Sequence, residues 1–391
     1  MMRTAIRILF FAGAVVLAVP LIRAAWPRAV LVAVSPHVSI CAAVAARTAG
    51  AVALACAPVA VLCVLRPRWF CRWACPIGLV RDVLRPVSTA PRPWPTAPPI
   101  GQWAAMINLG GALLGYPLLL WLDPLAMFAA IFGVFHGPLH IAVVLGACAA
   151  PVALLIDVLA GDLWCRRLCP LGGTQDMLRA AGRALARKRA DDNNSPAEVA
   201  GAGLARRTVL AATGGLAAAT LARRTRGGDR PLRPPGSVEE ARFAGMCVRC
   251  GNCVRACPSR IIRHDTGGLG IASLLTPVLS FESGFCRADC RACGQVCPSG
   301  AIRRLGAEDK RRTVIGLAEV DLDTCLMASG RECTLCMAEC PYQAIDIESP
   351  DEFSRRPRVD KSRCTGCGAC EAVCPMRPRR AVQVRPVSRG R

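Results

Sequence analysis

The chain has 391 residues, 53% of them hydrophobic, and its 49 Lys and Arg against 27 Asp and Glu give a formal net charge of +22. The length permits two or three domains. Such a charge can indicate nucleic-acid binding, but much of the excess lies in loops between apolar runs and in one Arg-rich segment, so we exclude nucleic acid as a partner.

Apolar runs alternate with Arg-rich loops before residue 165, and we predict that residues 1–178 form an α-helical membrane bundle of about four spans, with the lipid bilayer as a partner. Each run approaches the ~20 residues that cross a bilayer core. The predicted spans are Ile6–Ile22, Ile40–Leu65, Ile100–Leu122 and Leu139–Ala160. A signal peptide is the alternative interpretation of the first span, which has a basic start and a short apolar core.

Arginines orient this predicted bundle, because basic residues gather in cytoplasmic loops. The loops after the second and fourth spans are rich in Arg, whereas residues 123–138 contain no Lys or Arg. The sequence therefore predicts a multi-pass protein of the bacterial cytoplasmic membrane with a cytoplasmic N-terminus.

Each of the two Arg-rich loops contains the motif Cys-x3-Cys-Pro. The cysteines are Cys71 and Cys75 in the first loop, and Cys165 and Cys169 in the second. If the motifs are helical, cysteines four apart share one face, and two such ends packed together offer four thiolates. They are candidates for a further cluster or metal, for a redox dithiol pair, or for a structural role.

Residues 179–236 join the apolar half to a cysteine-rich half. A basic stretch leads to Arg206-Arg207-Thr208 and a mildly apolar run that ends near Ala222. This pattern is typical of a twin-arginine export signal, although a surface helix with two solvated arginines is the alternative. We expect export to place the following domain on the periplasmic, or outer, side, tethered by a linker rich in Arg, Pro and Gly.

Residues 237–391 contain sixteen cysteines in four groups, each ending in Cys-x3-Cys-Pro. The groups are Cys247, Cys250, Cys253, Cys257; Cys286, Cys290, Cys293, Cys297; Cys325, Cys333, Cys336, Cys340; and Cys364, Cys367, Cys370, Cys374. The first and last match C-x2-C-x2-C-x3-C-P, in which three thiolates hold one cluster and the fourth reaches its neighbour. We therefore predict that all sixteen bind the iron of four 4Fe-4S clusters. Zinc and disulfides are the alternatives, but zinc sites commonly include histidine and His264 is the only histidine here.

Two further sets of residues are candidates for contact with redox partners. Basic residues at Lys310–Arg312 and at 377–380 could dock an acidic partner or form solvated faces. For quinol oxidation, His136, His140 and Asp123 are candidate proton acceptors, unless they simply face interfacial water. No residue pattern indicates a substrate-converting site, so enzyme activity beyond electron transfer and quinol oxidation is not predicted.

The motifs resemble two known families. The paired Cys-x3-Cys-Pro loops with Asp123-Pro124-Leu125 resemble NapH/MauN membrane ferredoxin-type proteins and the NosR membrane core. The sequences RPPGSVEEARFAGMCVRCGNCVRACP, LLTPVLSF, CGQVCPSGAI and CLMASGRECTLCMAECP resemble NapG/MauM. The resemblance implies a NapH-NapG fusion that transfers electrons from the membrane quinol pool to a periplasmic reductase, dehydrogenase or small electron carrier. NapH-type proteins usually carry a cytoplasmic two-cluster ferredoxin that this chain lacks, which favours direct quinol input.

The resemblance also implies an α+β ferredoxin-like domain with two pseudo-symmetric two-cluster units. Related subunits pair the first cysteine group with the last, so that Cys374 would join Cys247, Cys250 and Cys253, and the two middle groups would pair together. An alternative function uses the same electron path for maturation or reactivation of a periplasmic metalloenzyme or quinoprotein, with the Cys-x3-Cys-Pro thiols acting as redox groups.

Overall fold

The computed structural model describes residues 2–19, 26–48, 51–87, 98–135, 141–191, 202–224, 230–349 and 355–387. The first half is helical. Its helices are α1 (Met2–Ala18), α2 (Trp26–Ala33), α3 (Pro36–Ala46), α4 (Ala51–Leu65), α5 (Trp69–Trp73), α6 (Pro76–Leu84), α7 (Ile100–Leu113), α8 (Pro124–Ile131), α9 (Ile141–Leu159), α10 (Pro170–Asp191) and α11 (Ala202–Arg224). Short 3-10 turns follow α6, precede α8 and follow α8, and a π-helical turn spans Trp164–Leu168.

The predicted four-span bundle is wrong, because within the described ranges no helix combines the length and apolar character that crossing a membrane requires. The apolar runs are broken by backbone geometry. The second run splits where Arg47 caps α3 in a left-handed conformation (φ 54°). The third run ends as a helix at Leu113, since Gly115 has φ 75° and Pro117 follows it. The resulting helices α4 and α7 have 15 and 14 residues.

Small residues let α11 pack closely along α7. A Cβ atom on Gly110 would collide with the carbonyl oxygen of Ala212, and one on Gly215 would collide with that of Ile107. Glycine at both positions therefore allows direct backbone contact between the two helices. As a result, the segment with the twin-arginine pattern forms a packed helix of this half.

The second half consists of short helices and three two-stranded antiparallel sheets. The helices are α12 (Glu240–Met246), α13 (Asn252–Ala256), α14 (Ala292–Gln295), α15 (Ala307–Arg312), α16 (Leu335–Ala338) and α17 (Ala369–Val373). The strands are β1 (Ile262–His264), β2 (Pro277–Leu279), β3 (Leu317–Val320), β4 (Ile345–Glu348), β5 (Arg356–Val359) and β6 (Val382–Arg385). The pairs are β1 with β2, β3 with β6, and β4 with β5.

The strand pairs divide this half into two similar units that follow each other along the chain. In the first unit β1 and β2 form the inner pair, and a bridge between Ser237 and Ile302 closes the outside. In the second unit β4 and β5 form the inner pair, and β3 and β6 form the outer one. Each unit therefore encloses two consecutive cysteine groups.

The two halves share one continuous apolar core. The guanidinium of Arg255, which is buried, donates a hydrogen bond of 2.5 Å to the carbonyl oxygen of Ala129 in α8. The guanidinium carbon of Arg249 lies 5.7 Å from the ring centroid of Trp121. The loops around the first cysteine group are thus held directly against the helical half.

Candidate metal centres

The first centre consists of three cysteines of the first group and the last cysteine of the second. Cys247, Cys250, Cys253 and Cys297 line one mostly apolar cavity. The loop between α12 and α13 turns sharply because Arg249 and Gly251 both have positive φ angles of 54° and 70°. Glycine adopts that conformation without steric cost, and the turn directs consecutive cysteines to the same side.

The second centre shows that the two cysteine groups of the first unit exchange their last cysteines. Cys286, Cys290 and Cys293 line a cavity together with Cys257, the last cysteine of the first group. The predicted pairing of the first group with the last is therefore wrong. Strand β1 follows the first group and β2 precedes the second. Their antiparallel pairing therefore brings the second group beside the first.

The second unit repeats this exchange. The third centre consists of Cys364, Cys367, Cys370 and Cys340, which line one cavity. In the fourth centre, Cys325 packs in one small apolar group with Cys374. Cys333 and Cys325 both lie within electrostatic range of Cys336. The four groups therefore form four centres, two in each unit.

Burial disfavours the thiolate form of several of these cysteines. It raises the pKa of Cys250 and Cys293 to about 12, and that of Cys286 and Cys336 to about 11. Each thiolate would need a positive partner inside a low-dielectric cavity, and binding a soft metal supplies one. The donor set and its apolar surroundings therefore fit iron-sulfur clusters.

In the described part of the chain, no set of three or more His, Cys, Asp or Glu side chains is arranged to hold a single metal ion. Three cavities are nevertheless each lined by four of the cysteines. A cube of four irons holds its thiolates farther apart than one tetrahedral ion does.

Backbone N–H groups approach two of the exchanged sulfurs. The amide of Ile302 donates to Cys297 Sγ at 3.4 Å, and that of Ala344 donates to Cys340 Sγ at 3.3 Å. Hydrogen bonds to sulfur are one of the means by which a protein adjusts the reduction potential of a bound cluster. One such bond is present in each unit.

The Cys-x3-Cys-Pro motifs of the helical half also meet. Their four thiols line one cavity of about 500 Å³, which we call the loop-thiol site; they are Cys71, Cys75, Cys165 and Cys169. In each motif a short helical turn carries the first cysteine. The second cysteine has an extended backbone, with ψ 120° at Cys75 and 118° at Cys169, because the following proline disfavours the helical conformation.

Arginines and one glutamine surround the loop-thiol site. Arg68, Arg72, Arg81 and Arg166 are among its lining residues. Gln175, which is completely buried in α10, donates through Nε2 to Cys71 Sγ at 3.0 Å. Burial raises the pKa of Cys75 to about 12, so thiolates here also need a compensating positive charge.

The structure describes only one of the three candidate proton acceptors for quinol oxidation. His136 and His140 lie outside the described residues. Asp123 is fully buried, where it accepts a hydrogen bond of 2.5 Å from Ser35, and burial raises its pKa to about 6. The alternative that Asp123 faces interfacial water is therefore wrong, and its role as a proton acceptor for quinol stays a prediction. The nearby residue His37 is also buried, and its ring lies 3.0 Å from Thr174 Oγ1 and 2.9 Å from Asn108 Nδ2.

Sequence reasoning missed four buried polar residues near these sites: Lys310, Gln175, Arg255 and Asn108. Lys310 was expected to dock a partner or to lie on a solvated face, but its exposed fraction is 2%. Its neighbours in α15 did fit a solvated face, since the side chain of Arg312 is 79% exposed. The charged run around Lys310 contained no signal that one member points inward.

Comparison with known proteins agrees with this geometry. A model described as "4Fe-4S dicluster domain" matches residues 246–301 and 329–377, and one described as "4Fe-4S binding domain" matches 48–92 and 139–189. The second match contains both Cys-x3-Cys-Pro motifs. The fold and the centres thus define an iron-sulfur protein of the ferredoxin type, with two two-cluster domains in its second half.

Relatives identify the family. Ferredoxin-type protein NapG of Escherichia coli (strain K12) is 38% identical over 200 residues, which cover 46% of this chain and 84% of the relative. Methylamine utilization ferredoxin-type protein MauM of Methylobacillus flagellatus is 36% identical over 180 residues, which cover 44% of this chain and 76% of the relative. The chain belongs to the NapG/MauM family of ferredoxin-type proteins. No solved structure matches it.

Proposed function

We propose that this chain is an electron-transfer protein that carries electrons from a quinol to a periplasmic oxidoreductase. The sixteen cysteines of the four centres would hold four 4Fe-4S clusters, and the loop-thiol site would hold a fifth. Each bound cluster supplies a group that gains and loses one electron at a time. The protein's own contribution is to place the centres in order and to set their surroundings.

The observation that carries this proposal is the linear order of the four centres. The first centre lies against the helical half through the hydrogen bond from Arg255 to Ala129. The first and second centres are adjacent, because each contains the last cysteine of the other's group. The second meets the third through a backbone hydrogen bond of 2.8 Å from Cys286 to Cys367. Cys370 of the third lies within electrostatic range of Cys336 of the fourth.

The two ends of this order have different surroundings. The loops around the first centre contact the helical half, whereas the loop around the fourth carries exposed apolar side chains. Leu335 and Met337, on either side of Cys336, are 43% and 37% exposed. Apolar residues exposed beside a redox centre suit brief contact with a partner protein. We therefore place electron entry at the helical half and electron exit at the fourth centre.

The fifth cluster rests on the loop-thiol site. Four thiols from two chain-distant motifs share one cavity, and both motifs lie in the segments that match the 4Fe-4S binding domain. The surrounding arginines would offset the negative charge of four thiolates. This site would then be the first acceptor inside the helical half.

The proposal is tested with the full chain purified without oxygen. We expect ~20 iron atoms per chain if the loop-thiol site is filled and ~16 if only the four centres are. Addition of a reduced quinol analogue should produce the EPR signals of reduced clusters. Clusters that dithionite reduces and the quinol does not would contradict quinol input and would favour the maturation function.

The periplasmic location of the second half rests on the Arg206-Arg207 pattern. Replacing both residues by lysine should keep the second half inside the cell. Protease added to whole cells with a permeabilised outer membrane would then fail to cleave it, although it cleaves the unchanged protein. Equal cleavage of both forms would contradict export by the twin-arginine route.

A further inference from the structure

A buried lysine lies between the two units of the second half. Lys310 in α15 is 2% exposed and is among the largest side chains that the fold buries almost completely. The same helix carries Glu308 and Arg312, whose side chains are 65% and 79% exposed and form an ion pair of 3.1 Å. This short helix therefore directs four charged side chains toward solvent and only one, that of Lys310, into the protein.

The ammonium of Lys310 lies close to sulfurs of two different centres. Its positive charge lies within electrostatic range of Cys286 of the second centre, where the effect is attractive. It also lies within electrostatic range of Cys367 of the third centre. These two cysteines are joined by their backbone hydrogen bond, so the lysine occupies the junction between the units.

Within the part of the chain that the structure describes, no carboxylate forms an ion pair with Lys310. A buried ammonium is unfavourable in a low-dielectric interior unless negative groups lie near it. Thiolates at the two centres are the negative groups within reach, so the charge of the lysine and that of the centres stabilise each other.

We propose that Lys310 raises the reduction potentials of the second and third centres together. A fixed positive charge stabilises whichever form of a neighbouring centre carries one more electron, and charge is one of the factors that set cluster potentials. The lysine is a positioning and tuning residue whose charge acts on the two centres through space. No bond forms or breaks at it, and the electron comes from the external reductant. This inference rests on the proposed function, because it requires clusters at both centres.

The consequence for electron transfer is that both centres at the unit boundary shift in the same direction. Transfer from the first unit to the second crosses that boundary, where the two centres belong to different strand pairs. A single ammonium that acts on both lowers the energy of an electron on either side. The shared charge therefore favours an electron at the boundary without itself opening a difference in potential between the two units.

The test is an EPR-monitored redox titration of the full chain, with dithionite as reductant, in the unchanged protein and in K310M, K310R and R312Q. K310M keeps the length of the side chain and removes its charge. We expect the reduction equilibrium of two of the four centres to fall at least tenfold, which is 59 mV for a one-electron couple. K310R should stay within threefold of the unchanged protein, and R312Q should move none of the centres.

Iron content separates failure of this inference from failure of the proposed function. If the unchanged protein holds far fewer than ~16 iron atoms, the proposed function fails. If K310M holds full iron and shows unchanged potentials, the inference alone is overturned. Should K310M lose iron from two centres while K310R keeps it, the requirement for charge at the junction is supported. Equal loss in K310R would overturn it.

Discussion

The backbone N–H of Cys286 donates a hydrogen bond of 2.8 Å to the carbonyl oxygen of Cys367. These residues belong to different units, and each provides a sulfur to its own centre. Because the bond joins backbone atoms, it fixes the separation of two cluster-binding loops without depending on a flexible side chain. The unit boundary is therefore as well defined as the interior of either unit.

The cysteine exchange within each unit can be tested by removing the exchanged ligands. C297A and C247A should abolish the same EPR signal, because both residues belong to the first centre. C374A should instead abolish the signal that C325A removes. Each change should lower the iron content by up to ~4 atoms per chain.

Cys148 provides the matched control for these variants, since it is an exposed cysteine outside all the proposed sites. C148A should leave iron content and spectra unchanged. If C374A and C247A removed the same signal, the order of centres along the chain would have to be abandoned.

The contact between the two halves should depend on Arg255. Its guanidinium donates to Ala129 of α8 and to the side chain of Asn252, each at 2.5 Å. R255M keeps much of the volume but leaves buried acceptors without a donor, which costs about 2–3 kcal/mol. We expect a lower midpoint of thermal unfolding, followed by circular dichroism without oxygen.

A suitable control is R304Q, because Arg304 is an exposed arginine in the same unit. It should shift the midpoint little. R255M should also slow reduction of the four centres by a donor that enters through the helical half, whereas reduction by dithionite should be unaffected. Unchanged stability and unchanged reduction would show that the halves are held together by other contacts.

Cysteine spacing allowed the centres to be predicted because a short loop that ends in Cys-Pro has few ways to arrange three thiolates. It could not determine the pairing, since Cys257, Cys297, Cys340 and Cys374 occupy equivalent positions in their motifs. Only the strand order decides which group each one reaches. The assignment of all sixteen cysteines as iron ligands stays a prediction.

The interpretation of the first half failed for a different reason. Mean hydropathy over a run does not register a single residue that ends a helix. Arg47 and Gly115 each divide an apolar run by adopting positive φ, and a residue in that conformation cannot continue a right-handed helix. Likewise, the run Glu308–Arg312 contains no pattern that distinguishes the buried Lys310 from its exposed neighbours.

Stability of the helical half should depend on pH through Asp123. Burial raises its pKa from the ordinary 3.8 to about 6, so the folded state binds the proton more tightly than the unfolded state does. The contribution is therefore fully present below pH ~3.8 and is lost as the pH rises through ~6, a difference of about 3 kcal/mol. D123N cannot ionise and should remove this dependence.

The measurement compares the thermal midpoints of both proteins at pH 5 and pH 7.5. The unchanged protein should lose more stability than D123N between these values. Asparagine can still accept the hydrogen bond from the Leu125 amide, which Asp123 accepts at 2.9 Å as the N-cap of α8. D323N, at an exposed carboxylate, should behave like the unchanged protein. Equal losses in all three would mean that Asp123 is not the titrating group.

Cluster binding at the loop-thiol site should require the amide of Gln175. Its Nε2 donates to Cys71 Sγ at 3.0 Å, and its Oε1 accepts from the Phe70 amide at 3.1 Å. Q175E keeps the acceptor for Phe70 but replaces the donor with a negative charge beside a thiolate. Loss of a residue that orients a metal ligand typically weakens metal binding by about 10–100-fold. We therefore expect iron at this site to be lost at correspondingly lower chelator concentrations, while the four centres keep theirs.

Q343E, at an exposed glutamine of the second half, is the control. Identical chelator resistance of Q175E and the unchanged protein would show that Gln175 only packs in the core, because a donor needed by a ligand sulfur cannot be replaced by a carboxylate without weakening the site.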